Sequence, residues 1–210
     1  MVLRLAIFAS GRGSNLRAIY NAIRRHELTG IELVLVLSNN SKSDALAFAC
    51  EHNISAVHCS QHSVGGDNQQ YEHTMLKVLA EHRIDLIALA GYMKKVPTAV
   101  ITAYEGKVLN VHPSLLPEFG GEGMFGLNVH HAVINSGQPV SGMTIHLVEN
   151  DYDAGKIILQ ERCPVLPDDT PETLSKRVLA LEHHGYPKAL QIVVNQIEPS
   201  LSQNPNGASR

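Results

Sequence analysis

LRLAIFASGRGSNLRAIYNAIRR, residues 3–25, decides the class of the fold. Leu3 to Ala9 is an apolar run of strand type, and Ser10 to Asn15 follows with glycines at 11 and 13. Leu16, Ile19, Tyr20 and Ile23 then recur at helical spacing up to Arg25. Strand, Gly-rich turn and helix form the opening unit of a parallel α/β sheet. The pattern continues outward from there. Ile31–Leu37, Ile54–His58, Ile84–Ala90 and residues 107–112 are further apolar runs. Helical patterns separate them over Asp44–Glu51, about Gln69–His82, and briefly past Pro97. Near-continuous aliphatic runs between helices predict strands buried on both faces. The fold class is therefore α/β, a single-domain open, mostly parallel, Rossmann-like sheet with helices on both faces.

Beyond residue 117 the chain is less regular. EFGGEGMFGL, residues 118–127, reads as a loop or flap because of its four glycines. Asn128–Asn135 is helical. Pro139–Glu149 and Lys156–Cys163 read as two strands about the turn Asn150–Gly155, an antiparallel addition at one sheet edge. Thr170 as N-cap, Pro171 at the first helical position and nearby acids start a last helix, which carries Leu174, Val178 and Leu181 and continues past Pro187. Residues 1–198 form the predicted domain, and the polar stretch 199–210 a disordered tail.

Bulk properties narrow the function. A chain of 210 residues supports one sizeable core. A net charge of −3 with no basic stripe, and only 5% aromatic residues, offers no footprint for nucleic acid. Cys50, Cys59 and Cys163 are too scattered for a disulfide framework or a zinc motif, and fit a reducing compartment. No signal peptide or membrane span is visible, so the expected location is the cytoplasm.

Three places carry chemistry. The first is the turn 10–15. Its backbone N–H groups before a helix suit a single phosphate held by Gly13, Ser14 and Asn15. The alternative is a tight βα turn in which Ser14 or Asn15 caps the helix. A Walker loop is excluded by the missing Lys-Ser/Thr pair, and the dinucleotide fingerprint by Leu16 at the third glycine position. The second is VLNVHPSLLP, residues 108–117. Spacing of two on a strand sends Asn110 and His112 to one face, and Pro113 ends the ladder. An amide and an imidazole there suit stabilisation of an oxyanion, or satisfy each other's surroundings as ordinary strand-end residues. The third is Asp153 in DYDAG, a turn residue by type; close to His112 it would raise the imidazole's pKa. No nucleophile elbow and no His pair with metal-ligand spacing is present.

SGRGSNL (10–16), LAGYMKKV (89–96), LNVHPSLLP (109–117) and GMTIHLVENDYDAGKIILQ (142–160), in that order, resemble the phosphoribosylglycinamide formyltransferase family, the folate-dependent transformylases of purine synthesis. The resemblance spans about residues 3 to 195, and LALEHHGYP (179–187) strengthens it. It implies transfer of a formyl group from 10-formyltetrahydrofolate, as cosubstrate, to the amine of glycinamide ribonucleotide, without a metal, by a monomer or homodimer. By this resemblance Asn110, His112 and Asp153 are catalytic, with Asp153 keeping His112 protonated. Gly13, Ser14, Asn15 and Glu182 hold the nucleotide substrate. Asn68, Met93, Lys94, Lys95, Val96 and Asn110 line the folate site.

The sequence departs from the family's pattern in two places. Asn68 stands where the family often has an Arg contacting folate, and the segment after HPSLLP is longer, with Asn128 for the first His of a His-x-His pair and His130 for the second. Lys94 and Lys95 suit either the folate's glutamate tail or solvent. The alternatives are a formyltetrahydrofolate deformylase, which normally carries a further N-terminal domain, and a non-catalytic nucleotide-binding module.

Overall fold

The computed structural model describes residues 2–202, with side chains through residue 197. Seven strands form one sheet: β1 (Leu3–Phe8), β2 (Ile31–Ser38), β3 (Ser55–His58), β4 (Leu86–Leu89), β5 (Val108–His112), β6 (Val140–Leu147) and β7 (Ile157–Pro164). Their spatial order is β3-β2-β1-β4-β5-β6-β7. Pairings from β3 to β5 are parallel, whereas β5–β6 and β6–β7 are antiparallel. The expected class and the antiparallel edge are both present. Strand order reverses between β1 and β4, the position at which open α/β sheets bind ligands.

The helices are α1 (Ser14–Arg24), α2 (Asp44–Glu51), α3 (Asn68–Glu81), α4 (Thr98–Ala103), α5 (Leu127–Asn135) and α6 (Pro171–Ser202). They divide over the two faces as the alternation of β1 requires. Leu3, Leu5 and Ile7 join a core with residues of α1, α2, α5 and α6. Ala6 and Phe8 point the other way, into a core with Tyr71, Met75 and Leu79 of α3 and Val100 and Ile101 of α4. Apolar burial on both sides is what fixes such a sheet centrally.

The start of α6 follows its sequence signal. The Thr173 N–H donates to Thr170 Oγ1 at 3.3 Å, and Thr173 Oγ1 accepts the Thr170 N–H at 2.9 Å, a reciprocal capping arrangement. The helix runs through Pro187 as expected, and its backbone continues to Ser202, beyond Pro199 where the sequence predicts the tail to begin. Residues 203–210 of that predicted tail lie outside the described residues. Tyr186, fully buried on α6, presents its hydroxyl to the carbonyls of Leu89 (3.0 Å) and Leu109 (3.1 Å). That contact seats α6 against β4 and β5, one helical turn from Glu182. No helix among the described residues is long and apolar enough to cross a membrane.

Candidate active site

The end of β5 places the first two side chains. Asn110 pairs across the strands with His146 of β6, and His112 pairs with Thr144, so residues two apart on each strand share one face. Asn110 Nδ2 lies 3.2 Å from His146 Nε2. His146 Nδ1 is 2.8 Å from the Leu147 carbonyl, which places a proton on Nδ1. Nε2 faces both the Asn110 amide and the Asp153 carboxylate.

Asp153 sits in the turn between β6 and β7 with φ +54, a left-handed conformation that a non-glycine residue adopts at local cost. It bridges both imidazoles: His112 Nδ1 is 3.4 Å from Oδ2, and His146 Nε2 is 3.4 Å from Oδ1. The Gly121 N–H donates to Oδ2 at 2.9 Å. Burial pushes the Asp153 carboxyl up, but the His146 and Gly121 donors and the two imidazoles outweigh it, and its pKa ends below the ordinary value. It is a carboxylate throughout the neutral range.

His112 differs from the sequence expectation. The Asp153 charge and the Phe119 carbonyl, 2.8 Å from Nε2, both favour the imidazolium. Burial acts more strongly, helped by the neighbouring His146, and the pKa is lowered below the ordinary histidine value. The ring is 3% exposed, and its separation from the carboxylate exceeds that of a charge-assisted hydrogen bond. Asp153 therefore does not hold a permanent charge on His112. Because both ring nitrogens face acceptors, a proton gained during reaction finds partners already in place.

The flap of residues 118–127 reaches this pair directly. Phe119, at φ +56, turns its carbonyl toward His112, and Gly120 follows where a Cβ would come 2.6 Å from Leu116 Cδ2 and 3.3 Å from Asp153 Cβ. Behind it, His130 of α5 is 2% exposed, its Nδ1 has no partner, and burial together with His112 and His131 lowers its pKa to about 4.

The N-terminal turn closes the other end. Gly13 has φ +67, and a Cβ there would meet Ala45 Cβ at 3.1 Å, so both conformation and space call for glycine. No side chain caps α1, which leaves the first-turn N–H groups of Ser14 and Asn15 open toward an anion and sets aside the capping alternative. Asn15 is buried and donates from Nδ2 to Glu182 Oε2 at 2.7 Å; its Oδ1 has no partner. Burial pushes the Glu182 carboxyl up to about 7, against the opposing Asn15 hydrogen bond.

These groups line one cleft of about 560 Å³, which Asn15 and Glu182, Asn110, His112, His130, His146 and Asp153, and Met93–Val96 share. The formyl transferase family model matches residues 3–190. The chain belongs to the formyl transferase family. Among solved structures of formyl transferases, phosphoribosylglycinamide formyltransferase from Brucella melitensis is 37% identical and superposes with a TM-score of 0.84, over 92% of this chain and 96% of that one. Glycinamide ribonucleotide transformylase 1 from Symbiobacterium toebii is 33% identical with a TM-score of 0.85, over 93% and 89% of the two chains. The chloroplastic phosphoribosylglycinamide formyltransferase of Arabidopsis thaliana is 37% identical over 183 residues, which are 87% of this chain and 62% of that protein. The chain thus spans under two thirds of the length of the plant relative.

Within this formyl transferase, the residues named from sequence divide unevenly. Asn15, Met93, Lys94, Lys95, Val96, Asn110, His112, Asp153 and Glu182 line the cleft, and Lys95 Nζ sits 5.0 Å over the Tyr152 ring across its mouth. Gly13 and Ser14 build the turn beside it. Asn68 is exposed, accepts a hydrogen bond from Gln61 Nε2 at 2.6 Å and is absent from the lining, so its expected folate contact has no support in this conformation. Sequence reasoning missed His146. Its signal was the alternation Thr144–His146 on a strand, but pairing with Asn110 depends on a register that only the assembled sheet shows. The Phe119 carbonyl carries no side-chain signal at all.

Proposed function

We propose that the protein transfers a formyl group from 10-formyltetrahydrofolate to the amine of glycinamide ribonucleotide. The observation that carries this reading is the shared cleft: Asn110, His112, His146 and Asp153 line the same cavity as Asn15 and Glu182 at the uncapped helix N-terminus and as Met93–Val96. The nucleotide's phosphate takes the open N–H groups at Gly13–Asn15, and its ribose hydroxyls face Glu182, whose carboxyl near neutrality both donates and accepts. The folate lies along Met93–Val96, with its formyl group at Asn110 and His112.

The substrate's neutral amine attacks the formyl carbon, forming a C–N bond as the formyl oxygen takes up negative charge. Asn110 Nδ2 and His112 Nε2 donate to that oxygen; one such donor is worth ~3–4 kcal/mol. Collapse breaks the bond to folate N10, and one proton moves from the attacking nitrogen to N10. Asp153, beside Nδ1, keeps the ring oriented so that Nε2 faces the developing oxyanion. Juxtaposing two substrates in one cleft supplies much of the remaining rate. In the described conformation Phe119 occupies the acceptor position of His112, so the formyl oxygen replaces that carbonyl when the donor binds.

His112→Ala tests the assignment. Glycinamide ribonucleotide should bind within about twofold of wild type, while kcat falls by ~10²–10³. Wild-type turnover in this variant would remove His112 from the mechanism.

A further inference from the structure

Ser10 opens the phosphate turn, two residues past β1, and it has no part in the chemistry above. All three of its polar groups are engaged, the hydroxyl twice. Its N–H donates to the Gly91 carbonyl at 3.1 Å, and its carbonyl accepts from Asn40 Nδ2 at 3.4 Å. Its hydroxyl donates to Asn39 Oδ1 and accepts the Met93 N–H at 2.7 Å. A backbone N–H can only donate, so the hydroxyl proton is committed to Asn39. One side chain thus ties together the ends of β2, β1 and β4, across the point where strand order reverses.

The Met93 contact matters because of where it falls. Gly91–Pro97 belongs to no helix or strand, yet Met93–Val96 form one wall of the cleft. Among the described hydrogen bonds, Met93 is the one residue of Tyr92–Val96 whose backbone N–H has a partner. The opposite neighbour of Ser10 is the turn whose Gly11 carbonyl accepts the Ala45 N–H at 3.2 Å and whose Gly13 is packed against Ala45. The hydroxyl therefore links the exposed start of the wall to the anchored phosphate turn, beside the Ser10 N–H on the Gly91 carbonyl and the burial of Val96 in the core.

We propose that Ser10 is a positioning residue that sets the folate wall at a fixed distance from the phosphate turn, so that formyl carbon and acceptor amine meet in register. This rests on the transferase reading above. Reaction needs the two atoms ~3–3.5 Å apart, and a misplacement of ~1 Å can cost ~10²-fold. Ser10→Ala frees the Met93 N–H and the Asn39 amide at once, while leaving the turn glycines intact.

The test compares wild type, Ser10→Ala and Ser10→Thr, which keeps the hydroxyl. Steady-state kinetics are combined with calorimetric binding of tetrahydrofolate and of glycinamide ribonucleotide, each alone, and with thermal melts. The expected result for Ser10→Ala is a Kd for tetrahydrofolate and a KM for the donor raised ~10-fold and a kcat lowered ~10-fold. The nucleotide's Kd should stay within about twofold, and Ser10→Thr should restore at least half of the loss. Wild-type constants in Ser10→Ala, equal losses in both variants, or a lower melting temperature with unchanged KM and Kd would each overturn the proposal. The binding arm does not need turnover. A wild type that binds both ligands without transfer would end the transferase reading, and the Ser10 comparison would still be decided by Kd.

Discussion

Burial and charge compete at single side chains in the cleft, and the outcome differs from residue to residue. Asp153 keeps its charge because donors surround it; His112 loses its own because they do not suffice. Replacing Asp153 by Asn removes an influence that favours the imidazolium, so the His112 pKa falls further. The expected outcome is a lower kcat and an acid limb of the pH–rate profile displaced to lower pH. A profile measured from pH 5 to 9 that keeps its wild-type acid limb would break the link between the two residues. Glu182 shows the opposite balance. Its folded pKa, raised from 4.5 to about 7, means that the folded protein binds the extra proton, so its contribution to stability falls as pH rises from 4.5 to about 7. Glu182→Gln copies the protonated form and should gain stability relative to wild type at pH 8 but not at pH 4.5, while weakening nucleotide binding. Denaturant titrations at the two pH values check this; an equal difference at both would contradict it.

Elements were legible in sequence wherever the apolar period was strong. The opening strand, turn and helix stand within a residue or two of their predicted bounds, and Asp44–Glu51 coincides with its helix. Same-face placement of Asn110 and His112 followed from their spacing alone. The partner they acquire, His146, did not, because antiparallel register is a property of two strands and the loop between them. Nor did the flap's contact, since a carbonyl at Phe119 is aimed by backbone dihedrals rather than by residue type. The sign of the His112 shift was missed for a related reason: a nearby carboxylate can be inferred from motif, but the depth of burial cannot. Turn chemistry is the firmer element-scale prediction. Gly13→Ala puts a Cβ at φ +67 and against Ala45, at a cost of about 1–2 kcal/mol from conformation. Melting temperature should fall and the KM for glycinamide ribonucleotide should rise more than that for the folate donor. A variant that melts lower with both KM values unchanged would detach the turn from the nucleotide.

Across the whole molecule, a parallel core and an antiparallel edge divide the work. The parallel strands bring the phosphate turn and the Met93–Val96 wall to one end of the sheet, where the order reverses. The antiparallel pair β6–β7 adds what that arrangement lacks, His146 on the strand and Asp153 in the turn, on the far side of β5. Helix α6 packs against the sheet, with Tyr186 on the Leu89 and Leu109 carbonyls and Glu182 facing Asn15. The proposed acceptor end, donor wall and reacting centre predict a two-substrate reaction rather than hydrolysis of the donor. The most direct measurement is formation of tetrahydrofolate from 10-formyltetrahydrofolate by the purified protein, with and without glycinamide ribonucleotide. Product that appears only with the nucleotide, in equal amount to formylated nucleotide, is the predicted result. Product formed at the same rate without it would make the protein a hydrolase of the formyl donor and contradict the account.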